Sequence, residues 1–188
     1  MSETLIYSND EINTGDVLLV GGRSFLSRAI KWFEKCPYSH AAMFFWIREP
    51  KLINDKLYPI GLYVAEMVAK GFVLTPFESY MKGHGDLLCL KPEYAVDEKA
   101  YWDFITPDLG HEKYGFVNLL LCQPIKFLTG YRIWLGDVDD EHPNRYICGE
   151  KVEEIINHFT EYFGNWMRDD PSIIYKSPLF TQHVILTK

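Results

Sequence analysis

Two hydrophobic periods run through the chain. Val17 to Val20, in "GDVLLVGG", is an apolar run closed by two glycines, the pattern of a short buried strand. In "SFLSRAIKWFEK" the period becomes helical. Ser24 offers an N-cap, Phe25, Leu26, Ala29, Ile30 and Phe33 share one face, and Pro37 follows the end. Ala41 to Ile47 is a continuous apolar run of strand length, headed by His40. "GLYVAEMVAKGFVLTP" predicts two strands around a turn at Lys70-Gly71. "FESYM" predicts a short helix, "DLLCLKP" a strand, and "DEKAYWDFI" a helix with acidic residues in its first turn. From Tyr114 to Arg145 the pattern is mixed, with Pro124 interrupting apolar helical content before the acidic loop "GDVDDEHPN". "CGEKVEEIINHFTEYF" is the clearest helix, with Val152, Ile155, Ile156, Phe159, Tyr162 and Phe163 spaced at three and four. "QHVILTK" predicts a last strand. Strands come early and the strongest helix late, which argues an α+β fold and not alternating βαβ units.

Composition narrows the functional classes. A chain of 188 residues, 47% hydrophobic and 15% aromatic, suits a single domain over residues 1–188 with a sizeable core. Its net charge is −7 and its basic residues are scattered, which argues against nucleic-acid binding. No apolar run has the length of a membrane span, and "MSETLIYSND" lacks the pattern of a signal peptide. The expectation is therefore a cytoplasmic protein, or one that is virion-associated or delivered by another route. The four cysteines show no CxxC spacing, so no zinc site or redox pair is expected, and no metal or cofactor.

Three residues have the chemistry of a thiol hydrolase. Cys148 opens the strongest helix, where the partial positive charge and open N–H groups of a helix start favour a thiolate and a developing oxyanion. A buried cysteine of no catalytic role would fit the same position. His40 stands at the head of an apolar strand, either as a proton carrier or as a strand-end histidine held by the backbone. Glu66 lies within "LYVAEMV" on the face of Val64 and Val68. On an edge strand it would sit in water, whereas beside a strand that carries a histidine it would gain a partner. Nucleophile, base and orienting group are defined by geometry and not by chain order. Side chains of His40 and Cys148 on opposite faces of the sheet would exclude the catalytic reading.

The order of these motifs resembles the permuted papain-like amidases of the YiiX/YaeF type. Those proteins are circularly permuted relatives of NlpC-type cell-wall peptidases and are more distantly similar to lecithin:retinol acyltransferase. The resemblance runs through Thr14-Gly15-Asp16-Val17, Pro37-Tyr38-Ser39-His40, Val64-Ala65-Glu66, Gly71-Phe72-Val73, Tyr146-Ile147-Cys148-Gly149-Glu150 and Ser177-Pro178-Leu179-Phe180. It implies a papain-like core with a mainly antiparallel sheet packed on the helix that follows the cysteine. It implies Cys148 as nucleophile, His40 as general base and acid, and Glu66 as orienting group. Tyr114, Tyr38 and Gly149 are implied at the substrate pocket. Gly149 stands where such proteins often have serine, and many bacterial relatives carry an export signal.

Other residues compete less well. Cys36 follows a predicted helix instead of opening one, where the dipole opposes a thiolate. Cys89 and Cys122 read as core. His84, His111 and His142 read as loop residues, and His158 and His183 show no pattern. "LLVGGRS" lacks a phosphate-loop signature, and Asp137 to Glu141 lacks calcium-loop spacing. The aromatic residues Trp32, Phe44, Phe45, Trp46, Trp102 and Trp134 suit a core, or else an acyl pocket. Three classes therefore stand: a thiol amidase or peptidase acting on a small or peptide-like amide, with cell-wall peptide and lipid amide both open; a lipid-directed thiol acyltransferase or acyl hydrolase; and a non-catalytic binding module such as a virion or effector protein.

Overall fold

The computed structural model describes residues 11–83, 86–111, 113–114, 145–146, 148–162 and 171–186. Its centre is a six-stranded antiparallel sheet. The strands are β1 (Val17–Gly21), β2 (His40–Ile47), β5 (Gly61–Val68), β6 (Gly71–Pro76), β7 (Asp86–Pro92) and β10 (Phe180–Leu186), in the spatial order β10-β7-β1-β2-β5-β6. A hairpin of β3 (Lys51–Ile53) and β4 (Lys56–Tyr58) leaves the sheet between β2 and β5. A short parallel pair joins β8 (Lys113–Tyr114) to β9 (Arg145–Tyr146). The helices are α1 (Phe25–Glu34), α2 (Phe77–Gly83), α3 (Glu98–Ile105), α4 (Cys148–Thr160) and α5 (Pro171–Lys176). This is the α+β architecture expected from the order of elements.

Local chemistry explains several of these boundaries. Ser24 caps α1 by accepting from the N–H of Ser27 at 3.0 Å, and Lys35 ends the helix in the left-handed conformation (φ 48°). Asp97 caps α3 through the N–H of Ala100 at 3.1 Å. Gly71 opens β6 at φ 110°, a conformation that other residues adopt only under strain. Val68 pairs with Gly71, so the β5–β6 hairpin turns at Ala69-Lys70, one residue before the Lys70-Gly71 pair that the sequence singles out.

Strand alternation divides the core. Val17, Leu19, Ala41, Met43, Phe45, Ile47, Tyr63, Ala65 and Met67 face one side and pack against Tyr101, Trp102 and Ile105 of α3 and Val152, Ile155 and Ile156 of α4. Leu18, Val20, Ala42, Phe44, Leu62, Val64, Leu87 and Cys89 face the other side, where Phe77 and Tyr80 of α2 meet them. Phe45 is buried against both rings of α3, with centroids 5.0 Å from Trp102 and 6.5 Å from Tyr101. Among the described residues no helix is long and apolar enough to cross a membrane.

Candidate active site

Glu66 lies in an interior strand, not at an edge. β5 is flanked by β2 and β6, and the residue is 6% exposed. Both of its carboxylate oxygens have protein partners. His40 Nε2 lies 3.1 Å from Oε2, and the Thr75 hydroxyl donates to Oε1 at 3.0 Å. The strand register brings the three together. Met43 pairs with Ala65, so His40 falls diagonal to Glu66 on the face shared with Ala42 and Val64. Val64 in turn pairs with Thr75. A carboxylate accepts, so the ring nitrogen that faces it carries the hydrogen and Nδ1 is the acceptor nitrogen of the neutral ring.

α4 packs along β2 in the same direction. Near its start, Lys151 Nζ lies 5.4 Å from the centre of the Phe72 ring, and Phe72 pairs with Met67 at the closed end of the β5–β6 hairpin. Near its finish, Phe159 stacks on Tyr101 with centroids 4.2 Å apart, beside Phe45. The first turn of α4, with Cys148 as its first residue, therefore stands at the end of the sheet where β2 begins with His40. Alternation assigns His40 and Glu66 to the α2 face, whereas α4 covers the opposite one. His40 is the first residue of β2, so its side chain stands at the rim of its face and not over the middle of the sheet. The side chains of Cys148 and Tyr114 lie outside the described part of the molecule.

The remaining candidates surround that end. The backbone of Tyr114 pairs with that of Tyr146, two residues before Cys148. Gly149 is buried in the first turn of α4. Tyr38, two residues before His40, is half-buried with its ring 5.4 Å from that of Tyr175 on α5. Cys36 is buried behind the C-cap of α1, and its N–H donates to the carbonyl of Lys31 at 3.2 Å. Cys89 is fully buried, and burial beside Asp16 pushes its thiol far above the ordinary range. Phe44, Phe45 and Trp102 are core residues and Trp46 is half-buried, whereas Trp32 is exposed. His111 is exposed as expected, and His158 stacks on Phe104 at 4.2 Å. His84, Cys122, Trp134, His142 and the acidic loop from Asp137 lie outside the described residues, as does the His183 side chain.

Two supporting residues escaped the sequence analysis. Thr75 is the hydroxyl that alternates with Val73 on β6, and the turn at Ala69-Lys70 sets the register that brings it to Glu66. Lys151 is 1% exposed, with Nζ 2.7 Å from both Asp108 and Glu154. It ties the start of α4 to the segment after α3. A buried lysine beside an apolar helical stripe has no sequence signature, because lysines in such positions are ordinarily solvated.

No protein-family model matches the chain, and no curated protein matches it in sequence. Among solved structures it is similar to the crystal structure of metalloprotein yiiX from Escherichia coli O157:H7. The likeness has a TM-score of 0.52 at 19% identity and covers 95% of this chain and 99% of that one. At that identity the likeness concerns the fold. It agrees in name with the YiiX type that the motifs resemble.

Proposed function

We propose that the chain is a cysteine hydrolase of permuted papain-like architecture that cleaves an amide bond through an acyl-enzyme on Cys148. The observation that carries this reading is the partly buried His40–Glu66 contact of 3.1 Å, at the end of the sheet where α4 opens with Cys148. A histidine with one nitrogen held by a carboxylate can use its other nitrogen to move a proton to and from a thiol. The reading requires the Cys148 thiol to meet Nδ1 around the end of β2, and not across the face of the sheet.

In the first step the Cys148 thiolate attacks the amide carbonyl carbon. N–H groups of the first turn of α4 hold the oxyanion. His40, protonated by the thiol, gives that proton to the leaving amine as the carbon–nitrogen bond breaks. Water then attacks the thioester. His40 takes the proton from the water, and the thiol leaves and recovers it. The balance is amide plus water to carboxylic acid plus amine. Glu66 fixes the ring and stabilises its cationic form, and Thr75 fixes Glu66. Tyr38 and Gly149 adjoin His40 and Cys148 in the chain, and Tyr114 pairs with Tyr146 two residues before Cys148, so all three would help to shape the substrate pocket. The substrate class is a small or peptide-like amide, with cell-wall peptide and lipid amide both within it.

The similar structure is described as a metalloprotein. Among the described residues no three His, Cys, Asp or Glu side chains come together, and both oxygens of Glu66 already have protein partners. His40 and Glu66 alone do not make up a metal's ligand set, and no step is routed through a metal. The test is mass spectrometry of protein incubated with amide and phospholipid panels. An acyl adduct on Cys148, absent in Cys148→Ala, supports the proposal. Full turnover by Cys148→Ala refutes it, and a fatty acyl adduct moves the reading to a lipid-directed acyl hydrolase.

A further inference from the structure

We infer that α1 is a docking surface for an anionic phospholipid bilayer, and that docking turns the His40 end of the sheet toward the lipid. α1 links the end of β1 to the start of β2, so it stands at the same end of the sheet as His40. It is strongly amphipathic, yet none of its described side chains is buried. Phe25 is 81% exposed and Trp32 66% exposed. Seven residues apart on a helix, they lie about 20° from one another around the axis and form one stripe. Ordinary protein surfaces carry single exposed apolar residues, but two large aromatic side chains in register on one helix form a patch.

Charge selects the occupant. Between Gly22 and Lys35 the chain carries Arg23, Arg28, Lys31 and Lys35 against Glu34 alone. That is a local balance of +3 in a chain whose net charge is −7. Arg28 flanks the aromatic stripe on the wheel, and Lys31 follows it. Arg23 lies 4.0 Å from Asp86, but both side chains are largely exposed, so water screens the pair. Aromatic residues along one side and basic ones beside them are the composition of a helix that lies in a lipid interface, with the cations at the level of the headgroups. A ten-residue helix with two anchors gives shallow, reversible binding. The surface does not depend on the thiol chemistry, so either proposal can fail without the other.

The test is co-sedimentation of the full chain with phosphatidylcholine vesicles, with and without about one-third phosphatidylserine, at about 0.1 M and about 0.5 M salt. Binding is expected to the anionic vesicles at low salt and to fall on the order of tenfold at high salt. Phe25→Ser/Trp32→Ser and Arg28→Glu/Lys31→Glu should each lose on the order of tenfold or more in binding. Circular dichroism checks that each variant remains folded. The salt and lipid dependence of the unaltered chain decides the matter by itself if a variant unfolds. Leu52→Ser/Leu57→Ser, on the exposed β3–β4 hairpin at the other end of the sheet, should bind as the unaltered chain does. The proposal is overturned by absence of binding to anionic vesicles, by equal binding to phosphatidylcholine alone, or by equal loss in the hairpin variant. A dimer that Phe25→Ser/Trp32→Ser dissolves, with no vesicle binding, would assign the surface to a second copy and also overturn it.

Discussion

Two buried carboxylates stand on the same side of the sheet, and their partners give them different work. Asp16 is 3% exposed just before β1. Its Oδ2 accepts from the N–H of Asn13 at 2.9 Å and from Lys91 Nζ at 3.0 Å, and the same ammonium reaches the carbonyl of Glu11. Glu66 is almost as buried, but its partners are an imidazole and a neutral hydroxyl. A lysine ammonium only donates, so the Asp16 pair serves as a tie between the start of β1 and β7. An imidazole can both give and take a proton, so the partner of Glu66 is suited to proton transfer. Burial alone therefore does not mark a site. A buried carboxylate whose partner can titrate is the one suited to catalysis.

Substitutions separate the two clusters. His40→Ala should lower turnover by roughly 10⁴-fold while leaving the unfolding midpoint close to that of the parent. Steady-state kinetics and urea unfolding on the same preparations check both halves. Lys91→Met leaves the Asp16 charge buried without its cation and should cost about 3 kcal/mol of stability, with activity per folded molecule unchanged. Equal activity losses in the two variants would erase the distinction.

Glu66→Gln keeps the shape and removes the charge, so kcat should fall on the order of a hundredfold or more, with a smaller loss of stability than in Lys91→Met. Thr75→Val frees one oxygen of Glu66 and should lower kcat about tenfold with KM nearly unchanged, an effect that Thr75→Ser should largely restore. The smallest effect is a trend with pH. Desolvation raises the Asp16 carboxyl above its usual 3.8 despite the opposing pull of Asn13 and Lys91. Above 3.8 the unfolded chain has released a proton that the folded chain still holds, so this group's contribution falls as pH rises through that window. The stability of the parent minus that of Asp16→Asn should therefore decrease from about pH 4 upward in a series of urea titrations.

Much of this arrangement is legible from period and punctuation. β1, β2, the β5–β6 hairpin, β7 and helices α1 to α4 follow from apolar spacing, caps and glycines, and alternation alone puts Glu66 on the face of Val64. The β3–β4 hairpin is missed because its strands are short and mostly exposed. Its signal was the dipeptide Asn54-Asp55, both at positive φ (49° and 60°), a turn chemistry typical of two-residue hairpin loops. α5 is missed too, although Pro171 at its first position is a regular helix opener. β10 begins at Phe180, before the predicted "QHVILTK". Cys148 was named for the helix it opens. Thr75 needed the register of β5 against β6, and Lys151 needed the tertiary contacts around Asp108, neither of which is a local property of the chain.

The spacing of the His40–Glu66 contact has a consequence in time. The two residues are separated by 26 positions and joined through adjacent antiparallel strands, which is a low entropic barrier to closure. Cys148 comes much later in the chain, and its helix packs on β2 and β5. Synthesis proceeds from the N-terminus, so His40, Glu66 and Thr75 all leave the ribosome well before Cys148. On the proposed reading, the nucleophile is therefore the last member of the site to be made.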